Sequence, residues 1–239
     1  MVIGISMSIE QELTKLSNPE RAALISNYFK SEKPGYPLKD KFLGLTVPQV
    51  REVARKYKNS SLQEVSALLV SPYHELRLCG LIILTLQFPK ADEAQQAEIY
   101  NFYLNHTSGI NNWDLVDVSA KIIVGGYLFL RDRSGLDRLA ESTNLWEQRI
   151  SVIATMYFIG KNDLDDTFRI CEKLLFHPHH YIQKAVGWVL REAGKKDVAR
   201  LESFLEKYAA TMPRITLRYS LEKFSAERKL YFMKKAKLD

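Results

Sequence analysis

Apolar residues recur along this chain at helical rather than alternating spacing, and polar breaks separate the apolar segments. All eight prolines lie in or beside such breaks, at positions 19, 34, 37, 48, 72, 89, 178 and 213. Helix starts are predicted at Asn18-Pro19, Thr46-Val47-Pro48 and Asn162-Asp163, where a side-chain oxygen can accept a hydrogen bond from a free backbone amide. Gly194 is a typical helix stop. The pattern predicts an all-α chain.

A basic residue followed by an apolar helix recurs at a regular interval. Arg149 and Lys184 are 35 residues apart, and Lys184 and Arg218 are 34 apart. Arg77 precedes Arg149 by 72 residues, close to two such steps. A period near 35 with two helices per unit is typical of HEAT and TPR repeats. We therefore predict one domain over residues 1–239, an α-solenoid of about six HEAT-like helix pairs.

The recurring basic residues have two interpretations. On a solenoid they would form a column along the concave surface, which would then be basic. Alternatively, each of them bonds to the backbone of the next repeat and has a structural role. The spacing alone leaves both interpretations open.

Composition supports a folded core and a localised positive charge. The 239 residues are 46% hydrophobic and 26% charged, which excludes disorder as the main description. Residues 178–239 carry 14 basic and 7 acidic side chains, whereas the preceding residues carry 20 and 21. A positive excess confined to one region suits a polyanionic partner.

Several other classes of protein and site are not expected. The longest apolar run falls far short of the roughly 20 residues that cross a bilayer, and the first residues lack signal-peptide features, so we expect a cytoplasmic protein without a membrane span. Cys79 and Cys171 are 92 residues apart and indicate neither a disulfide framework nor a metal pair. The sequence HPHH at 177–180 is interpreted as a helix-capping loop rather than a metal site. No metal or organic cofactor is predicted.

The segment from Tyr181 to Ala193 is the most informative predicted helix. Its apolar stripe consists of Ile182, Ala185, Val186, Val189, Leu190 and Ala193. At about 100° per residue, Trp188 falls on the opposite face together with Lys184, Arg191 and Lys195. A large aromatic among cations fits a surface that meets phosphates with charge and a sugar or base with a ring. The alternative is that Trp188 packs beneath a neighbouring repeat.

A second informative helix is predicted to begin at Asn112 or Trp113. Its apolar stripe is centred on Leu115, Val118 and Ile122. Trp113 and Asp117, four residues apart, share another face with Lys121 and Val124. Asp117 is therefore a functional carboxylate, an acid that interacts favourably with the helix dipole, or the i, i+4 partner of Lys121. Arg149, one repeat later, is the residue type that binds a phosphate with two parallel hydrogen bonds.

Five segments resemble, in order and spacing, the bacterial AlkD-like DNA alkylation repair family. They are NYFKSEKPGYPLKDKFLGLTVPQVR (27–51), INNWDLVDVSA (110–120), NLWEQRISVIATMYFI (144–159), IQKAVGWVLREAGK (182–195) and MPRITLRYSLEKF (212–224). The resemblance covers nearly the whole chain. It implies an all-α solenoid of HEAT-like repeats and a DNA glycosylase that releases cationic N3- or N7-alkylated purines from double-stranded DNA.

The resemblance also implies roles for individual residues. Asp117 would stabilise an oxocarbenium-like sugar, while Trp113 and Trp188 would contact the sugar and the lesion. Tyr28 matches an aromatic that lines the same cleft. The residues expected to hold the DNA backbone are Arg149, Lys184, Arg191 and Lys195. Tyr157 departs from the family pattern, because the best-known branch has a lysine there.

Two other functions remain open at this point. The first is a non-enzymatic module that uses the same surface to bind branched or distorted DNA without releasing a base. The second is a repeat scaffold for another protein, with the aromatic and basic face as a peptide groove. The glycosylase hypothesis is favoured, with double-stranded DNA containing alkylated bases as partner and a monomer as the acting species.

Overall fold

The computed structural model describes residues 7–31 and 40–235. Regular structure in these ranges is helical, apart from one isolated bridge between Lys41 and Tyr73, which confirms the all-α prediction. The α-helices are α1 (Ile9–Lys15), α2 (Pro19–Ser31), α3 (Val47–Lys56), α4 (Leu62–Leu69), α5 (His74–Gln87), α6 (Glu93–Asn105), α7 (Trp113–Ala120), α8 (Gly126–Leu128), α9 (Ser134–Ala140), α10 (Leu145–Gly160), α11 (Asp165–Lys173), α12 (His180–Gly194), α13 (Val198–Tyr208), α14 (Arg214–Ser220) and α15 (Ala226–Lys235). Shorter segments are the 3₁₀ turns Phe88–Lys90 and Thr107–Gly109 and the π-helical turn Lys121–Gly125. In these ranges no helix combines the length and the apolar composition that a bilayer crossing needs.

The chain divides into two compact units, the first ending at Asn111 and the second beginning at Asn112. In the first unit, α3 and α4 both pack against α5. The sequence of α5 is apolar on nearly all sides, and its residues from His74 to Thr85 are buried. A single domain over the whole chain stays a prediction.

The second unit is built from alternating helices. α7, α10, α12 and α14 pack against one another in that order, so each contacts the next. α9 packs on α10, α11 on both α10 and α12, and α13 on α12. This alternation is the two-helix repeat that the period near 35 residues predicts.

Two glycines show that the repeat extends to the packing of individual atoms. A Cβ built on Gly125 would lie 2.2 Å from the carbonyl oxygen of Ala154, and one on Gly187 would lie 2.6 Å from that of Thr216. Any side chain there would collide with the backbone of the next helix in the stack. Glycine is therefore required at both positions for the helices to approach this closely.

The predicted helix boundaries agree with the structure in all but one case. Asn18 Oδ1 accepts from the amide of Arg21 at the start of α2, Thr46 caps α3, and α12 ends at Gly194. The predicted start at Asn162-Asp163 is wrong. Asn162 has φ 60°, the left-handed conformation that asparagine tolerates, and it belongs to the turn that ends α10.

The residues that α12 contributes to the core of the second unit include those of its predicted apolar stripe. All six stripe residues of α12 are completely buried. Cys79 and Cys171 are both free and buried.

Candidate active site

The first two turns of α7 carry the predicted Trp113 and Asp117. Asn112 is buried, and its Oδ1 accepts a hydrogen bond of 2.8 Å from the backbone N–H of Trp113, which fixes where the helix begins. Trp113 and Asp117 are one helical turn apart and therefore lie on the same face. Both side chains are partly buried. The predicted pairing of an indole ring with a carboxylate is thus present on one surface of α7.

Asp117 is held by Arg149 of α10. Arg149 Nε donates to Asp117 Oδ1 at 2.9 Å and its Nη2 donates to Oδ2 at 2.8 Å. This is the two-pronged geometry in which a guanidinium matches both oxygens of a carboxylate. The Arg149 side chain is 6% exposed and that of Asp117 is 18% exposed. The ion pair is therefore largely shielded from water, and Asp117 is the more exposed of its two partners.

The third nitrogen of Arg149 is also occupied. Its Nη1 donates to the backbone carbonyl of Tyr181 at 2.5 Å, in the first turn of α12. The alternative considered for the recurring basic residues, a bond to the backbone of the next repeat, is therefore the arrangement at Arg149. With all three nitrogens donating inside the protein, the geometry favours a positioning role over the phosphate contact that the sequence predicted.

Burial and charge act on Asp117 in opposite directions. Burial raises the pKa of its carboxyl above the ordinary value of 3.8, and the nearby Asp114 adds to that shift. The charge and hydrogen bonds of Arg149 oppose it. The partner of Asp117 is thus Arg149 of another helix rather than Lys121 of its own.

The recurring basic residues divide into two groups. Arg77 is buried like Arg149, and its Nη1 donates to the carbonyl of Ser71 at 2.8 Å while its Nη2 donates to Asp40 at 2.6 Å. Lys184 is partly buried and Arg218 is exposed. The predicted column of surface cations therefore applies at most to the last two members of the series.

The predicted cationic face of α12 contains a carboxylate as well. Trp188 is partly buried on this face. Arg191 forms ion pairs with Glu192 and with Glu222, and Lys195 pairs with Glu192 at 2.6 Å.

Lys184 differs from these two cations. Within the part of the chain that the structure describes, it has no acidic partner within 4 Å. Of the three predicted cations on α12, Lys184 is therefore the one whose charge no carboxylate of the described residues offsets.

A π-helical turn follows α7 and changes which residues share the face predicted for that helix. The sequence places Val124 on the same face as Asp117, but Val124 is completely buried. The π turn at Lys121–Gly125 inserts one residue into the helical register and so rotates the residues that follow. The prediction for Val124 is wrong for this reason.

Two further aromatic residues figure in the prediction. Tyr28, on α2 of the first unit, is 53% exposed. Tyr157, at the position where a lysine was expected, is on α10, with its ring centre 5.7 Å from that of Phe129. Lys161 lies over the Tyr157 ring at 5.7 Å, so a cation is supplied one turn beyond the missing lysine.

A comparison with protein-family models matches residues 9–224 to the model described as DNA alkylation repair enzyme. This chain belongs to the DNA alkylation repair enzyme family. Membership supports a DNA-repair function with DNA as the partner. A comparison with curated proteins found no match.

Solved structures with the same fold include other members of this group. One is described as a predicted DNA alkylation repair enzyme from Enterococcus faecalis, with a TM-score of 0.69 and 18% identity over 88% of this chain and 97% of that one. AlkD2 from Streptococcus mutans has a TM-score of 0.59 and 17% identity over 76% of this chain and 92% of its own. The smu.31 protein from Streptococcus mutans UA159 has a TM-score of 0.55 and 18% identity over 89% and 98%. At these identities the likeness establishes the fold.

In this member of the DNA alkylation repair family, sequence reasoning offered a bond from Arg149 to the next repeat but did not identify the groups that it contacts. The carbonyl of Tyr181 carries no side-chain signal, so no sequence pattern could have assigned it to Arg149. The ring of Tyr181 lies 5.5 Å from that of the buried Trp146, three residues before Arg149 on α10. The capping loop at residues 177–180 was predicted correctly, because His179 Nδ1 accepts from the backbone N–H of Tyr181 at 3.2 Å.

Proposed function

We propose that this DNA alkylation repair protein is a DNA glycosylase that hydrolyses the N-glycosidic bond of cationic N3- or N7-alkylated purines. The observation that carries the proposal is the Asp117–Arg149 pair, in which two hydrogen bonds orient a carboxylate whose side chain is 18% exposed and which lies one helical turn from Trp113. Family membership independently supports repair of alkylated DNA.

The chemistry requires negative charge more than acid catalysis. An alkylated purine that already carries a positive charge is a good leaving group, so the bond breaks toward an oxocarbenium-like sugar. Asp117 would stabilise that developing charge and orient the attacking water. Because Arg149 uses two of about four acceptor directions on the carboxylate, the others remain available for the sugar and the water.

Trp113 and Trp188 are proposed to contact the sugar and the charged base. A cation over an indole face gains about 0.5–2 kcal/mol. α10 packs against both helices that carry these residues, α7 and α12. This arrangement supports one site shared by three consecutive stacked helices.

DNA phosphates are proposed to be held by Lys184, Arg191 and Lys195. Lys184 can do so directly, since no carboxylate of the described chain offsets its charge. Arg191 and Lys195 would exchange their contacts with Glu192 and Glu222 for phosphates. Double-stranded DNA with alkylated bases is the proposed partner, and Arg149 acts on Asp117 rather than on the backbone.

The test is release of 7-methylguanine from a duplex containing one lesion, measured under single-turnover conditions. Asp117→Asn is expected to slow release by about 10²-fold or more while DNA affinity changes little. Asp114→Asn, a matched loss of charge on the same helix, is expected to release base at nearly the wild-type rate. Circular dichroism of each variant establishes that the helices remain formed.

Two results would contradict the proposal. Unchanged release by Asp117→Asn would remove the carboxylate from the mechanism. Salt-sensitive DNA binding by the wild-type protein without base release would favour the binding module instead.

The rate of base release by the wild-type protein should also fall on acidification, because Asp117 takes up a proton. The fall should occur at a pH above the ordinary carboxyl pKa of 3.8.

A further inference from the structure

Tyr181 is held both through its ring and through its backbone. Its ring centre lies 5.5 Å from that of the buried Trp146 of α10 and 4.3 Å from that of His180. Its backbone N–H donates to His179 Nδ1, and its carbonyl accepts from Arg149 Nη1 at 2.5 Å. Trp146 and Arg149 are three residues apart on one helix, so α10 contacts both the ring and the carbonyl of the same tyrosine.

The loop before Tyr181 is ordered by a second histidine. His177 Nδ1 accepts from the backbone N–H of His179 at 3.0 Å, and Gln183 Nε2 donates to the carbonyl of His177 at 3.0 Å. Each imidazole nitrogen thus satisfies a backbone N–H that α12 itself cannot satisfy. The HPHH sequence sets the position of the first turn of α12 and, with it, of the Tyr181 carbonyl.

We propose that Tyr181 is a positioning residue for Asp117, fixed by the His179 cap and the Trp146 ring, and acting through the guanidinium of Arg149. This inference rests on the proposed glycosylase function, which it extends from the carboxylate to the elements that orient it. The order of contacts is His179 to Tyr181, Tyr181 to Arg149, and Arg149 to Asp117.

The physical reason lies in the geometry of a guanidinium. Two bonds to Asp117 hold Arg149 and the carboxylate to each other but do not fix the pair relative to the site. The bond to the Tyr181 carbonyl supplies that third anchor. A displacement of about 1 Å at a reacting group can cost roughly 10²-fold in rate.

A conservative replacement for His179 already occurs in this chain. Asn144 caps α10 at the equivalent position 35 residues earlier, where its Oδ1 accepts from the amide two residues on, that of Trp146, at 2.9 Å. His179→Asn should therefore keep the cap, and His179→Ala should remove it. Tyr181→Leu keeps the cap and removes the ring, which tests the same element if the alanine variant does not fold.

The first measurement does not depend on activity. The Arg149 Nε–H gives an NMR signal that can be assigned by its loss in Arg149→Lys, and its burial against Asp117 should slow exchange with water. We expect His179→Ala and Tyr181→Leu to shift this signal and speed its exchange, and His179→Asn to restore it. Phe176→Ala removes an exposed ring that contacts Tyr208 rather than Tyr181, and is the control.

The second measurement separates rate from binding. We expect His179→Ala and Tyr181→Leu to slow single-turnover base release by roughly tenfold to a hundredfold, with the Kd for the duplex within about threefold of wild type, since these residues position the carboxylate and are not assigned to the DNA backbone. His179→Asn should release base at nearly the wild-type rate.

The two proposals fail in different ways. If the wild-type protein releases no base, the glycosylase proposal is wrong, and the Arg149 signal alone then decides whether Tyr181 positions the pair. An Arg149 signal that is the same in wild type, His179→Ala and Tyr181→Leu overturns the positioning role. Base release that is slowed equally by His179→Asn and His179→Ala overturns it too, because the cap would then not be the cause.

Discussion

The Asp117–Arg149 pair should show strong energetic coupling, which can be measured by combining Asp117→Asn with Arg149→Met. Asp117→Asn leaves a guanidinium that is 6% exposed without its anion, and arginine cannot lose its proton to relieve the cost. Removing one partner of a buried pair costs about 3–5 kcal/mol. Because the Asp117 side chain is 18% exposed, we expect the lower end, about 3 kcal/mol.

Arg149→Met should cost less than Asp117→Asn. It leaves a carboxylate whose pKa burial already raises, and which reaches water, so protonation and hydration limit the loss. It also removes the bond to the Tyr181 carbonyl. We expect about 2 kcal/mol in total, in the range for hydrogen bonds to charged groups.

The double variant decides the issue. In the double variant neither charge is present, so no ion is left buried without a partner. Its loss of unfolding free energy should therefore be about that of Asp117→Asn alone, which makes the coupling energy about 2 kcal/mol. The free energy of unfolding is measured by urea denaturation followed by circular dichroism, with the slope m checked for constancy. Costs that add to within about 0.5 kcal/mol would refute the reasoning.

A second pair in the same unit provides the control cycle. Lys207 and Glu172 are 2.9 Å apart, but their side chains are 64% and 49% exposed. Exposed ion pairs are worth about 0.2–1 kcal/mol. A coupling at Lys207–Glu172 as large as that at Asp117–Arg149 would show that shielding from water is not what strengthens the Asp117–Arg149 pair.

Two further predictions follow from the packing and the charge of the second unit. Lys184→Ala should reduce the steepness of log Kobs for DNA against log salt concentration by about 0.9, the value for one phosphate contact. Arg149→Lys should leave that slope unchanged. If Lys184→Ala and wild type have equal slopes, Lys184 does not contact a phosphate. Gly125→Ala should destabilise the protein by about 1–3 kcal/mol, because its Cβ would lie 2.2 Å from the carbonyl oxygen of Ala154. Gly160→Ala, whose Cβ would meet nothing within 4 Å, is the matched control, and equal thermal shifts for the two would contradict the close-packing argument.

Much of the fold could be predicted from the sequence, because its signals are local. The capping threonine before α3, the glycine at the end of α12 and the capping histidine at 179 each act within a few residues of the backbone they satisfy. The apolar stripe of α12 follows from helical spacing alone. The one boundary that failed, at Asn162, involves a residue type that both begins helices and occupies left-handed turns.

The surroundings of the candidate site were less predictable. Trp113 and Asp117 lie on one face because four residues make about one turn, which the sequence shows directly. The π turn at Lys121–Gly125 interrupts that rule, and it coincides with the close packing of Gly125 on the next helix. Periodicity alone cannot reveal an inserted residue of this kind, because it assumes a constant turn.

The amino-acid sequence by itself determined the helical class, the two-helix repeat of the second unit, the cationic terminal region and the shared helical face of Trp113 and Asp117, since each depends on residue types and their spacing. Only the tertiary structure decided which charged side chains form ion pairs with each other. Arg149 was predicted to bind phosphate, with a bond to the backbone of the next repeat as the alternative, and in the structure it donates to Asp117 and to the Tyr181 carbonyl, each 32 residues away. An ion pair depends on distance and on shielding from water, and both are set when separate helices pack together.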